Sequence, residues 1–258
     1  MKRTTAKLKK RDPVAAKPKV AVRLARKPRV TGPRARPQRK AAPRRIAKNA
    51  IGPYAREVLS RLRREYPDAR TELDYQTPLQ LLMATILSAQ CTDKRVNMVT
   101  PLLFQTFPTA ASLADAPPEK LEAIIKSTGF FRNKTKSLIG LGTALVERHN
   151  GEVPDSMDAL VKLHGVGRKT ANVVLGNAFG KNVGIVVDTH VARLSHRLGL
   201  TKGTDPVKIE QDLMPLFPRE DWALLAHLLI FHGRRVCEAR RPKCEICVLN
   251  DICPSSTV

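Results

Sequence analysis

Aromatic residues and long apolar runs are scarce in this chain of 258 residues. Phe, Tyr and Trp together make up 4% of it, and no apolar run approaches the ~18 residues expected of a transmembrane helix. The N-terminus is basic but lacks the apolar segment of a secretory signal. The sequence therefore predicts neither a membrane span nor secretion, while its 42% of apolar residues is enough to build a core.

Acidic residues are nearly absent from the first 48 residues. This segment holds 19 of the 46 Lys and Arg residues, one acid (Asp12), six of the 19 prolines and no aromatic residue. Such a composition buries too little apolar surface to offset its ordering entropy. We expect residues 1–50 to form a disordered basic arm that holds phosphates in a salt-dependent way, with an inert tail or a transit peptide as alternatives. The net charge of +23 favours a polyanionic partner.

Strand-forming segments are also nearly absent from the rest of the chain. The only strand-like run covers residues 185–187, which is too short for a sheet. Segments with helical apolar spacing, often preceded by Thr, Asp or Pro at the cap, recur instead. The predicted helices cover residues 54–66, 79–89, 92–107, 118–129, 133–148, 155–163 (capped by Asp155), 168–179, 189–198, 206–216 and 221–234. The sequence predicts an all-α fold of about ten helices with short connections.

Cysteine is rare until the last 22 residues, which contain four of the five. Cys237, Cys244, Cys247 and Cys253 follow the spacing C-x6-C-x2-C-x5-C, whereas Cys91 stands alone and is interpreted as a packed thiol. Without a secretory signal, disulfides are disfavoured, so four thiolates within 17 residues indicate one metal site. Zinc and [4Fe-4S] both accept four thiolates. The spacing favours [4Fe-4S], because structural zinc usually uses two short cysteine pairs and only one is present here.

A Gly-x-Gly turn joins two predicted helices at the segment LHGVGRKT, residues 163–170. Gly165 and Gly167 let a phosphate approach the backbone, and the amides at the start of the next helix point at it. This is typical of a helix-hairpin-helix that holds a nucleic-acid backbone without reading sequence, with a plain tight connection as the alternative. Lys169, in the first turn after the hairpin, is either a phosphate contact or an amine nucleophile. Asp188 precedes another helix, as an N-cap or a functional acid.

These segments together resemble the endonuclease III family. The phrases LHGVGRKTANVVLGNAFG and VDTHVARLSHRLGL and the four-cysteine spacing have the order and separation found there, and LLMATILSAQCTDKRVN and ERHNGEVP also resemble the family. The resemblance covers about residues 51–254. It implies a monomeric DNA glycosylase with apurinic/apyrimidinic lyase activity, a structural [4Fe-4S] cluster, and duplex DNA with damaged bases, above all oxidised pyrimidines, or abasic sites as substrate.

The resemblance further implies two helical domains with a catalytic cleft between them. Residues 71–181 correspond to a six-helix domain with the hairpin, and residues 51–70 plus 182–258 to a second domain with the cluster loop. By the same resemblance, Lys169 attacks C1′ of the damaged nucleotide and Asp188 assists at the sugar.

Several further residues match DNA contacts of the family. Gln90 matches the residue that fills the gap left by an extruded base, and Phe130 matches an apolar wedge where the family often has Leu. The other DNA contacts implied by the resemblance are Gly165, Gly167, Arg168, Thr170 and His190. One departure is His164, where the family usually has Pro; we expect it to alter the rigidity of the hairpin and not its function.

Two other functions remain as alternatives. A monofunctional glycosylase for adenine or for mismatched thymine or uracil is disfavoured by Lys169, and the adenine enzyme also by the few residues that follow Cys253. A non-catalytic DNA-binding protein on the same scaffold would lack Lys169 or Asp188. We expect a bacterial cytoplasmic, nucleoid-associated protein, with the nucleus or mitochondrion as alternatives.

Overall fold

The structure of the protein is a computed structural model that describes residues 46–258, so nearly all of the predicted basic arm lies outside the described residues. Within this range the chain forms helices and contains no strand, and residues 185–187 have no regular secondary structure. The helices are α1 (Ile51–Glu65), α2 (Pro78–Leu87), α3 (Asp93–Thr106), α4 (Ala110–Ala114), α5 (Pro118–Ile125), α6 (Phe131–His149), α7 (Met157–Leu160), α8 (Arg168–Ala178), α9 (Thr189–Arg197), α10 (Pro206–Leu213) and α11 (Trp222–Arg235). The predicted all-α class is confirmed. None of the helices in residues 46–258 is long and apolar enough to cross a membrane.

Side-chain caps set several of the helix boundaries. Thr77 Oγ1 accepts a hydrogen bond from the Gln80 amide at 3.2 Å and begins α2, as its position before a proline predicts. Two predictions were wrong. Helix α7 is capped by Ser156 and not by Asp155, which pairs with Lys181 instead. Helix α4 was missed because five residues are too few to show a helical period.

The apolar side chains collect into two cores, each within one lobe of the described residues. The first lobe consists of α2–α8, and its core includes Leu81 and Leu141, both fully buried. The second lobe consists of α1 and α9–α11 with the C-terminal loop, and its core includes Leu62 and Leu225, also fully buried. The chain therefore leaves the second lobe after α1 and returns to it before α9. The predicted arrangement of two helical domains with a cleft is confirmed, and its boundaries at residues 71 and 181 stay a prediction.

Candidate active site

A cavity of about 410 Å³ lies between the two lobes. Its walls include Gln90 and Lys169 from the first lobe and Asp188 and His190 from the second. The structure thus brings together four of the residues singled out in the sequence, although they lie up to 100 residues apart along the chain. An exposed amine and a carboxylate on facing walls of one cleft form the arrangement that covalent chemistry at a sugar carbon needs.

The hairpin turn before α8 owes its shape to Gly165. This residue has φ +75°, and a Cβ on it would lie 2.9 Å from Ser137 Cβ, so conformation and space both require glycine. Gly167 is the N-cap of α8, and a Cβ there would meet no protein atom within 4 Å. Its missing side chain leaves the first amides of α8 open to an approaching anion. Lys169 is the second residue of α8 and is exposed, and Thr170 follows it, half-buried.

His164, which stands where the resembled family usually has proline, packs its ring against α6. A Cβ added to Gly140 would lie 2.8 Å from the ring carbon Cγ of His164. The imidazole therefore covers a helix surface that lacks a side chain of its own. This contact joins the hairpin turn to α6.

Asp188 caps α9 and also faces the cavity. Its Oδ1 accepts hydrogen bonds from the amides of His190 and Val191, both at 2.8 Å. The hydrogen bonds among residues 46–258 leave Oδ2 free to act on a ligand. Burial lowers the pKa of His190, although the carboxylate of Asp188 opposes the shift. His190 is therefore neutral near pH 7. Because Asp188 caps the helix through Oδ1 alone, its two interpretations, N-cap and functional acid, are compatible.

Arg168, predicted to contact DNA, forms an ion pair between the lobes. Its Nε and Nη2 donate to the two carboxylate oxygens of Glu210 in α10 at 2.8 and 3.0 Å. Asn172 Nδ2 donates to the same carboxylate at 3.0 Å, and Glu210 is buried. This pair fixes the start of α8, and with it Lys169, to the second lobe. Sequence reasoning missed Glu210, because a lone acid in an amphipathic helix gives no sign of a distant partner.

Two exposed residues that match DNA contacts of the family have left-handed backbones. Gln90 has φ 54° in the turn after α2, and Phe130 has φ 48° just before α6. Left-handed residues other than glycine are uncommon, and they concentrate at sites where the strain serves a function. Phe130 is 63% exposed, which is unusual for a ring of this size. Gln90 lines the cavity, whereas Phe130 lies outside its walls.

A second ion pair, which sequence reasoning did not find, closes one side of the cleft. Arg234 at the end of α11 donates to Glu72 and, at 2.8 Å, to Asp93 at the start of α3. The pair joins the second lobe to the first, and all three side chains line the cavity.

Of the basic residues near the cysteines, Lys243 pairs with Glu238 and Arg235 stacks on Phe231.

The four C-terminal cysteines line one small cavity of about 30 Å³. Two of the sulfurs accept hydrogen bonds: Cys237 Sγ from Arg197 Nη1 at 3.2 Å, and Cys247 Sγ from the Leu249 amide at 3.4 Å. Burial raises the pKa of the Cys247 thiol to about 11, so a metal centre is needed to hold it as a thiolate. No group of three or more His, Cys, Asp or Glu among residues 46–258 is arranged to hold a single metal ion. Four converging thiols with N–H donors to sulfur fit an iron–sulfur cluster, which takes one thiolate at each of four irons.

Arginines of α9 hold the irregular backbone of this loop. Arg193 Nη2 donates to the carbonyls of Gly233 and Cys237 at 2.9 and 3.1 Å. Arg197 donates to the carbonyls of Glu238 and Ala239, both at 2.7 Å. The loop is therefore attached to a helix of the second lobe through main-chain carbonyls, and no local pattern in the sequence predicts this attachment.

Comparisons with known proteins agree with this geometry. A family model described as HhH-GPD superfamily base excision DNA repair protein matches residues 83–219, and one described as the iron-sulfur binding domain of endonuclease III matches residues 237–253. The second match confirms the predicted [4Fe-4S] cluster. The chain is 57% identical to endonuclease III of Synechocystis sp. over 202 residues, which is 78% of this chain and 92% of that protein. It is 42% identical to endonuclease III of Escherichia coli K12 over 197 residues, 76% of this chain and 93% of that one.

Solved structures show the same relationship. A trapped covalent intermediate of an endonuclease III with DNA is similar at a TM-score of 0.76 and 42% identity, over 82% of this chain and 97% of that chain. A thermostable thymine-DNA glycosylase has a TM-score of 0.73 at 21% identity, over 80% of this chain and 98% of that chain, and at this identity it shows the fold alone. The two-lobed helical fold, the cleft, the four-cysteine loop and the extent of sequence identity lead to one conclusion: this chain belongs to the endonuclease III family of base excision DNA repair proteins.

Proposed function

We propose that the chain removes damaged pyrimidines from duplex DNA and then cleaves the strand, with Lys169 as nucleophile and Asp188 as the assisting acid. The observation that supports this most directly is that the two side chains come from different lobes and line the same cavity. An extruded nucleotide entering the cleft meets both of them. Base extrusion is required, because C1′ cannot be attacked while the base remains in the stack.

The DNA backbone is held by groups that do not read sequence. The free amides at the start of α8, opened by Gly167, bind one phosphate with help from the helix dipole. Arg240 and Arg241 are exposed and have no ion-pair partner among the described residues, so they are the basic side chains of the cluster loop best placed for phosphate. Gln90 and Phe130 enter the duplex beside the extruded nucleotide. The cluster supplies a rigid, metal-bound loop and takes no part in the chemical steps.

The chemistry follows from the two groups. The neutral amine of Lys169 forms a bond from Nζ to C1′ while the C1′–N bond to the base breaks, and the base leaves with the bonding electron pair and takes up a proton. Asp188 Oδ2 stabilises the positive charge at the sugar and accepts the proton that Nζ loses. The proton held by Asp188 then passes to O4′ as the C1′–O4′ bond breaks, which opens the sugar ring and leaves an iminium between Nζ and C1′. This iminium acidifies the C2′ proton. Its removal expels the 3′ phosphate by breaking the C3′–O3′ bond, so the strand is cut 3′ to the lesion.

Single-turnover assays of the variant Lys169→Gln test this proposal. We expect wild type to excise an oxidised pyrimidine and nick the strand, and the variant to bind DNA and lose nicking by a factor of about 10³ or more. Lys162→Gln changes an exposed lysine just before the hairpin segment; it is the matched control and should behave as wild type. Nicking of abasic DNA by Lys169→Gln at the wild-type rate would contradict the assignment of the nucleophile. Excision of thymine or uracil from mismatches without nicking by wild type would support the monofunctional alternative.

A further inference from the structure

A buried lysine in the first turn of α6 takes no part in the proposed chemistry. Lys134 is 5% exposed, and its Nζ donates to the carbonyls of Leu87 and Thr128, both at 2.8 Å. No carboxylate among residues 46–258 forms an ion pair with it, and burial lowers its pKa. A cation is disfavoured in the interior and again at the positive end of a helix. The two carbonyls must therefore compensate for both effects.

The two acceptors are the ends of separate helical segments. Leu87 is the last residue of α2, and Thr128 ends the helical turn that follows α5. The last carbonyls of a helix have no partner within it and bear partial negative charge, so they suit a cation donor. One ammonium group thus joins two main-chain segments that lie 41 residues apart in sequence.

Each segment continues directly into one of the two exposed residues with left-handed backbones. Gln90 follows Leu87 by three residues, and Phe130 follows Thr128 by two. Their left-handed backbones allow little adjustment, so the place of each side chain depends on where its segment is anchored. Lys134 is the group that anchors both segments, and it does so on the interior side of the two turns.

We propose that Lys134 is a positioning residue that sets the spacing between the Gln90 and Phe130 turns, so that both side chains enter the duplex together when a base leaves the stack. This inference rests on the proposed function. It predicts that Lys134 matters for extruding an intact damaged base. It matters much less for a preformed abasic site, where no base has to be extruded and Lys169 reaches C1′ directly.

The experiment compares two single-turnover rates in Lys134→Met, which keeps the length of the side chain and removes its donors. One is base excision from a duplex with an oxidised pyrimidine, and the other is nicking of a preformed abasic site. We expect excision to fall about ten- to a hundredfold, the range of a hydrogen bond to a charged group, and nicking to fall less than about threefold. Lys136→Met, an exposed lysine in the same helix, is the control and should change neither rate.

Equal losses of both rates, or no loss of either, would overturn the proposal, because a general weakening of the fold affects both substrates alike. The double variant Gln90→Ala, Phe130→Ala sharpens the test. Adding Lys134→Met to this double variant should lower its excision rate little further. If Lys134→Met does not fold, Lys134→Arg is the second variant; its longer, planar donor group cannot reproduce the two Nζ hydrogen bonds in the buried site, so excision should again fall more than nicking. If wild type itself excises no damaged base and nicks no abasic site, the proposed function fails and not the role of Lys134.

Discussion

The two lobes are stabilised in different ways. The first is a contiguous helical segment with an apolar core in which Leu81 and Leu141 are fully buried, and Lys134 joins two of its main-chain segments. The second has an apolar core of similar kind but ends in a loop without α-helix, where four half-buried cysteines line a cavity and arginines hold the backbone carbonyls. The difference indicates that the first lobe is stabilised by contacts among its own residues, whereas the second also needs its cluster.

Replacing a cluster cysteine should have the largest effect. Cys247→Ser removes one of four ligands and leaves the loop without the centre that organises it, so we expect loss of iron and a loss of unfolding free energy above about 4 kcal/mol. Iron analysis and denaturant unfolding measure both. Cys91→Ser, outside the cluster, should keep its iron and its stability. A Cys247→Ser protein with wild-type stability would show that the second lobe does not depend on the cluster.

A cavity in the core of the first lobe should lower the free energy of unfolding by less than loss of the cluster does, and it should leave the cluster intact. Leu141→Ala removes a fully buried side chain from α6, and we expect a loss of about 2–5 kcal/mol. The iron content should stay at the wild-type value, since the change lies in the other lobe. Loss of iron in this variant would contradict the independence of the two cores.

Disturbing the ion pair of Arg168 with Glu210 should lower the free energy of unfolding by a smaller amount than the cavity does. A Cβ at Gly184 would lie 1.9 Å from Glu210 Oε1 and 2.7 Å from Asn172 Nδ2. Gly184→Ala must therefore push Glu210 away from its partners, and we expect a loss of about 1–3 kcal/mol in thermal or denaturant unfolding. Gly167→Ala, where the Cβ meets nothing, is the control and should change stability by less than about 0.5 kcal/mol. Equal changes of stability in the two variants would mean that Glu210 and its partners move to accommodate the new Cβ without loss of stability.

The smallest effect concerns a histidine between the lobes. His227 Nε2 is 2.8 Å from Asn177 Oδ1, and burial lowers the pKa of His227 to about 4. As the pH falls, the unfolded chain binds a proton at this histidine before the folded chain does. The stability that the neutral, buried His227 contributes is therefore fully present above about pH 6.5 and is lost as the pH falls toward 4. We expect His227→Gln to reduce the loss of stability between pH 6.5 and 5.5 by about 1 kcal/mol. Parallel pH curves for variant and wild type would contradict the shift.

Local patterns predicted the parts of the site that depend on local structure. The hairpin glycines, the N-cap position of Asp188 and the cysteine spacing are all visible in short stretches of sequence, because each is imposed by a turn, a helix start or a ligand set. The pairing of Arg168 with Glu210, the anchoring of the loop by Arg197 and the burial of Lys134 are not visible. Each joins segments distant in sequence, and nothing around a single charged residue identifies its partner.

The proposed function requires a covalent bond between Lys169 and the sugar in the cleft between the lobes. Borohydride reduction during reaction with a duplex containing one abasic site traps such an iminium, and peptide mapping by mass spectrometry locates the adduct. We expect a trapped complex with the DNA remnant on Lys169, and no trapped complex for Lys169→Gln. An adduct on another lysine or on the terminal amine, or no adduct from an active enzyme, would show that Lys169 is not the nucleophile.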